Sequence, residues 1–181
     1  MKLHLVRHPK PSVDTGCCYG ATDVPVNEAE LARVHAALRA AGLPGALPVY
    51  ASPLQRCALL AQRLQPQGVR LDARLAEMNF GAWELRTWSD IPRVEVDAWA
   101  ADLLDYRPGG AENVREVAHR VAGFVDALRA GGVDDALVIC HAGTIRLLLA
   151  MQSGLPLEQA ALQAAATPHR IAYGEILALA L

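Results

Sequence analysis

The stretch Leu3-His4-Leu5-Val6-Arg7-His8, followed by Pro9, decides how the chain folds. Leu3 and Leu5 share one face of an extended segment and Val6 adds β-branching, so the stretch reads as a short strand. Pro9 has no N–H to continue a ladder, and it keeps His8 extended. Arg7 and His8 therefore stand at the carboxyl end of a first strand, where a parallel sheet opens into a ligand crevice. An Arg-His pair alone is also what a solvated strand end looks like. Its meaning depends on what else the chain brings to the same rim.

The rest of the pattern supplies that rim. Ala136-Leu137-Val138-Ile139-Cys140 is a continuous apolar run, as expected of a central strand buried on both faces. His141-Ala142-Gly143-Thr144 turns out of it into a helix over Ile145–Met151. Pro48–Ser52 reads as another strand. Ser52-Pro53 reads as a helix start, with Ser as the cap and Pro at the first helical position, and that helix runs to about Leu64. Val69–Leu71 is a short third strand. A helix over Glu28–Ala41 is ended by Gly42. Val114, Val117, Val121, Phe124, Val125 and Leu128 follow helical spacing up to Gly131-Gly132. A further helix is expected over Leu157–Ala164, and closing strands over His169–Tyr173 and Ile176–Leu181. Strands alternating with helices predict a three-layer α/β fold, with a mostly parallel central sheet and helices on both faces.

Residues 1–181 read as one domain. The 181 residues are 52% hydrophobic and 20% charged with a formal net charge of −2, so no basic excess points to nucleic acid. No apolar run reaches the roughly 18–20 residues of a membrane span, and no signal region precedes the first strand. The cytoplasm is the expected compartment. Nothing in the pattern specifies an oligomeric state. Cys17, Cys18, Cys57 and Cys140 are too few and too scattered for a disulfide framework. Cys17-Cys18 lacks the C-x-x-C or histidine partners of a metal site.

Charged and imidazole groups fall at strand ends and helix starts. Arg7 and His8 end the first strand, Arg56 lies in the first turn after Ser52-Pro53, and His141 ends the central strand. The amides of Ala142 and Gly143 open the next helix. Strand ends of a parallel sheet share one rim, so these groups can converge into an anion site. Arginine's planar fork suits phosphate oxygens. A carboxylate has no place there unless it handles protons. Glu77 is the candidate general acid; its other reading is a surface or capping carboxylate.

Here the chain resembles the histidine phosphatase superfamily, whose fold is phosphoglycerate-mutase-like. The resemblance rests on Leu5-Val6-Arg7-His8, Ser52-Pro53-Leu54-Gln55-Arg56, Glu77 through Phe80-Gly81-Ala82-Trp83-Glu84, and Cys140-His141-Ala142-Gly143, in that order. Cys18-Tyr19-Gly20, Thr22-Asp23-Val24-Pro25 and Pro108-Gly109-Gly110-Ala111-Glu112 are similar to its α-ribazole phosphatase branch, which belongs to cobalamin biosynthesis. There are departures. Pro9 stands where glycine is usual, Lys10-Pro11 replaces the common Glu-Thr, and Asp14 falls near a position that often holds a phosphate-contacting asparagine. That role is not carried over to Asp14.

The resemblance implies a phosphomonoesterase that works through a phosphohistidine. His8 is then the nucleophile, Glu77 the acid and base, and Arg7, Arg56 and His141 the groups holding phosphate oxygens, with the Ala142 amide. It implies a neutral His8 beside a His141 protonated by bound phosphate. No metal or other cofactor is expected, because arginines supply the positive charge. The partner is a small phosphorylated metabolite. Glu84 and Arg120 are read as structural. The irregular segment 75–110 carries Trp83, Trp88 and Trp99 and a short helix over Arg93–Leu104; it is expected to form a lid that selects the substrate.

Three rivals stand beside this reading. Cys140-His141-Ala142-Gly143-Thr144-Ile145-Arg146 fits C-x-x-G-x-x-R, the phosphate loop of cysteine-dependent phosphatases, which would make Cys140 the nucleophile. A binding module without catalysis would need neither His8 nor Glu77. A mutase needs additional enclosing segments that 181 residues scarcely provide. A broad-specificity phosphatase remains an alternative within the family reading.

Overall fold

A computed structural model describes residues 1–43 and 47–181. Five strands form one sheet: β1 (Lys2–Arg7), β2 (Val49–Ala51), β3 (Arg70–Leu71), β4 (Asp135–Cys140) and β5 (Ile176–Ala180). Their order is β3-β2-β4-β1-β5, parallel throughout except for β5, which runs antiparallel to β1. The helices are α1 (Glu28–Ala40), α2 (Gln55–Leu64), α3 (Arg93–Ala101), α4 (Val114–Ala130), α5 (Ala142–Ala150) and α6 (Leu157–Ala166). No helix among the described residues is long and apolar enough to cross a membrane.

The period-2 geometry of a strand splits the apolar run of β4 between two cores. Leu137 and Ile139 pack with Leu31, Val34 and Leu38 of α1 and with Cys57 and Leu60 of α2. Ala136, Val138 and Cys140 pack with Val117, Val121 and Phe124 of α4 and with Ile145 and Leu148 of α5. The three-layer architecture follows, because a strand apolar on both faces is stable only when both are covered.

This arrangement also opens the crevice. The chain leaves β1 toward α1 on one face and leaves β4 toward α5 on the other. Arg7 pairs with Cys140 in register, and the His8 amide donates to the Cys140 carbonyl at 3.0 Å. On the other side of β4, the Ser52 amide donates to Ile139 at 3.0 Å. The carboxyl ends of β1, β4 and β2 thus lie side by side at the point where the winding reverses.

Four expectations are corrected. The Ser52 side chain does not cap α2, which begins at Gln55 with Leu54 at its cap and no side-chain cap bond. Ser52 instead turns toward β4, where a buried partner outcompetes the local one. His169–Tyr173 forms no strand. It follows Pro168 as an irregular segment, and Arg7 takes the Ile171 carbonyl as an acceptor at 2.5 Å. Gly174, at φ +78°, then turns the chain into β5. Finally, α3 stops at Ala101 rather than Leu104, and α5 begins at Ala142, so the turn after β4 is already helical.

Candidate functional site

A cavity of about 430 Å³ opens at the rim. Arg7, His8, Arg56, Glu77, His141 and Ala142 all line it, so the structure brings together the six residues of the phosphohistidine reading. Cys140 does not line it. Its side chain lies in the α4-side core, and burial pushes its thiol well above the ordinary range. Asp14 is exposed and lies outside this cavity.

His8 is 2% exposed, and its Nδ1 sits 2.7 Å from the carbonyl of Pro9. A carbonyl only accepts, so Nδ1 carries the proton and Nε2 keeps a free lone pair. The ring is held down to about 3, first by burial, then by repulsion from Arg56 and Arg7. Burial therefore does more than the neighbouring cations that the sequence suggested. The His141 ring centroid lies 5.0 Å from that of His8. His141 too is held well below the usual imidazole range, by burial and then by His8 and Arg56. Unliganded, both rings are neutral; a bound dianion would be needed to charge His141.

The two arginines are fixed by main chain. Arg56, with no exposed surface, donates to the carbonyls of Thr22 at 2.8 Å and Gly20 at 2.5 Å. The Arg7 guanidinium lies 3.8 Å over the Tyr173 ring, and Tyr173 in turn hydrogen-bonds Tyr19 at 2.9 Å. Nε of Arg7, Nε of Arg56 and Nδ1 of His141 are buried with no partner among the described residues. Buried polar groups are normally paired, and three orphans around one cavity mark a place for an acceptor-rich ligand.

Glu77 is held by its neighbours' amides: Gly143 donates to Oε2 at 3.0 Å and Met78 to Oε1 at 3.1 Å. The Gly143 amide is therefore spent on Glu77, which leaves the Ala142 amide at the start of α5. A Cβ at position 143 would lie 2.3 Å from Glu77 Oε1 and would push the carboxylate from this place. Glu84 accepts the amides of Gly20, Ala21, Thr22 and Phe80, and so ties the segment that carries Arg56's acceptors to the Glu77 segment. Residues 75–110 give the cavity an aromatic wall of Phe80, Trp88 and Trp99. Trp83 is instead core, fully buried, with Nε1 donating to Glu95 at 2.6 Å.

Sequence reasoning missed Ser52 as a partner of His141, and it passed over Arg146 and His169, which also line the cavity. Only the C-x-x-G-x-x-R pattern drew attention to Arg146, and for another reason. Its Nη2 donates to the carbonyls of Ala164, Ala165 and Thr167 at the end of α6. Among the described residues no group of three or more His, Cys, Asp or Glu could hold a metal ion.

Comparison with known proteins decides the family. Residues 3–171 match the histidine phosphatase superfamily (branch 1). The chain belongs to that superfamily. It is a phosphomonoester hydrolase. Over 169 residues it is 28% identical to the adenosylcobalamin/alpha-ribazole phosphatase of Salmonella typhimurium, covering 86% of this chain and 81% of that relative. Its fold is similar to that of the alpha-ribazole phosphatase from Shigella flexneri, with a TM-score of 0.81 at 23% identity over 98% of this chain and 89% of the other. It is similar also to mycobacterial glucosyl-3-phosphoglycerate phosphatase, with a TM-score of 0.80 at 24% identity over 99% and 92% of the two chains.

Proposed function

We propose that this phosphatase hydrolyses α-ribazole 5′-phosphate, or a phosphomonoester of the same aromatic-nucleoside kind, and so serves cobalamin biosynthesis. One observation carries the reading: a single cavity joins the His8, Arg56 and His141 cluster to an aromatic wall that includes Trp88, 42% exposed. A phosphate seated on the cluster would put its leaving group against that wall, where a benzimidazole ring can stack. Segment 75–110 then acts as the selecting lid. The 28% identity to the Salmonella relative supports the same choice.

In this mechanism the free Nε2 of His8 attacks phosphorus and forms an N–P bond while the P–O bond to the leaving group breaks. Glu77 gives its proton to the departing alkoxide. Water then attacks the phosphohistidine, Glu77 takes the proton back, and phosphate and neutral His8 are released. Arg7, Arg56, His141 and the Ala142 amide hold the equatorial oxygens, where transition-state charge collects.

A specific observation favours a second reading. Arg146 and His169 line the same cavity and would suit a substrate with another anionic group, such as a phosphoglycerate. A panel of kcat/KM values decides. We expect α-ribazole 5′-phosphate to exceed 3-phosphoglycerate, phosphoserine and sugar phosphates, and Trp88→Ala to lower kcat/KM for it about 10-fold with little change for the sugar phosphates. A preference for phosphoglycerate would overturn the aromatic reading.

A further inference from the structure

The carboxylate of Glu77 is held by amides, but the backbone that carries it has no regular structure to fix it. Residues 76–80 lie between two short helical turns, Ala73–Leu75 and Gly81–Trp83, and pair with no strand. Two of their carbonyls, those of Ala76 and Glu77, accept instead from one side chain of α4, and Ala76 accepts also from Thr144 Oγ1 at 3.2 Å. Arg120 Nη1 donates to the carbonyls of Arg74 and Ala76, both at 2.7 Å, and Nη2 donates to that of Glu77 at 3.1 Å. The rest of the fork meets Glu112: Nε to Oε1 at 2.9 Å and Nη2 to Oε2 at 3.1 Å. Glu112 also accepts the Asn79 amide at 2.9 Å, while its own amide donates to the Asn79 carbonyl at 3.1 Å. The pair therefore grips the chain at positions 74, 76 and 77 on one side of the carboxylate and at 79 on the other. Only a planar guanidinium can serve a bidentate carboxylate and three carbonyls at once; lysine's point charge cannot.

From this geometry we propose that Arg120, oriented by Glu112, is a positioning residue that holds Glu77 at the leaving-group oxygen. The inference rests on the reading of Glu77 as general acid. It replaces the structural role that the sequence suggested for Arg120. Proton transfer to a leaving group depends steeply on placement, and a displacement of about 1 Å can cost on the order of 10²-fold. Among the described residues Arg120 hydrogen-bonds only Glu112 and the Arg74, Ala76 and Glu77 carbonyls, and its charge bears on His141 less than burial, His8 and Arg56 do, so its loss should be felt chiefly in protonation of the leaving group.

The test compares an alkyl phosphate with p-nitrophenyl phosphate, whose phenolate departs without a proton. For Arg120→Gln we expect kcat on the alkyl phosphate to fall roughly 10–100-fold and on p-nitrophenyl phosphate by less than about 3-fold, with KM nearly unchanged. Glu112→Gln should show the same selectivity at smaller size, and Arg120→Lys should recover only part of the loss. Glu77→Gln sets the ceiling, roughly 10²–10⁴-fold on the alkyl phosphate. Adding Arg120→Gln to Glu77→Gln should cost nothing further on it, since the two act through one proton. Equal losses on both substrates in Arg120→Gln, with Glu77→Gln selective, would make Arg120 a fold tie and overturn the proposal. Equal losses in Glu77→Gln itself would remove the general acid, and the proposal would fall with it. Should Arg120→Gln not fold, the Glu112→Gln and Arg120→Lys comparisons read the same selectivity.

Discussion

Ser52 Oγ lies 2.8 Å from Nε2 of His141, across the ends of two neighbouring parallel strands. Cys57 Sγ approaches the same nitrogen at 3.5 Å. All three side chains are fully buried. Ser52 Oγ also accepts the Leu54 amide at 3.4 Å, which leaves its own proton for the imidazole. We assign Nε2 as the acceptor, which lets both the hydroxyl and the thiol donate, and place the ring proton on Nδ1, the nitrogen without a protein partner.

Ser52→Ala should release that choice. We expect kcat to fall about 10-fold, the scale of one buried hydrogen bond plus an orphaned ring nitrogen. Ring ¹⁵N shifts of the wild-type protein should show His141 as the Nδ1–H tautomer, and the variant should show a mixture. A wild-type ring found as Nε2–H would reverse the donor assignment.

His8→Ala should abolish both turnover and trapping of labelled phosphate on the protein. The wild-type label should be lost in acid and kept in base, as a phosphoramidate is. Steady-state activity surviving in the variant would remove His8 from the reaction.

Cys140→Ser separates the two nucleophiles that the sequence allowed. A thiol buried in the α4-side core is poorly placed to ionise. The variant should keep most activity at a stability cost of about 1–3 kcal/mol for a hydroxyl in an apolar site. A dead variant, together with acid-stable trapped phosphate in the wild type, would transfer the chemistry to sulfur.

Stability should fall as the solution is acidified. His8 binds a proton near pH 6.5 when unfolded but only at about 3 when folded, so between these values the unfolded chain holds the extra proton. His141 acts with the same sign. Each ring withdraws up to about 1.4 kcal/mol per pH unit below the unfolded value. Urea midpoints should drop between about pH 7 and about pH 5, less steeply in His8→Asn. A flat midpoint over that interval would show that the rings titrate alike in both states.

What could be read in advance followed from local rules. The apolar runs of β1 and β4 announced a covered sheet, and their ends announced the rim. Ser52 shows where local rules stop: Ser-Pro is a sound cap signal, yet a buried imidazole on the next strand took the hydroxyl. His169–Tyr173 has strand-like residues, but Arg7 needed an acceptor there. The Arg120 grip was invisible for a different reason. Apart from Glu112, its acceptors are backbone carbonyls, which every residue has, so no residue type marks them. The Gly143 amide is the same case, spent on a carboxylate 66 positions away.

Because β1 is hydrogen-bonded to β4 on one side and β5 on the other, it is synthesised well before either of its neighbours. Arg7 and His8 precede their partners in the chain, yet Cys140 sets their register and Ile171, Tyr173 and Gly174 hold Arg7 or accept from it. More than a hundred residues must be synthesised in between. During that interval an apolar segment ending in Arg-His stays unpaired, which exposes it to wrong partners. Reactive geometry at His8 is therefore acquired abruptly, once β4 and β5 are made, rather than gradually along the chain.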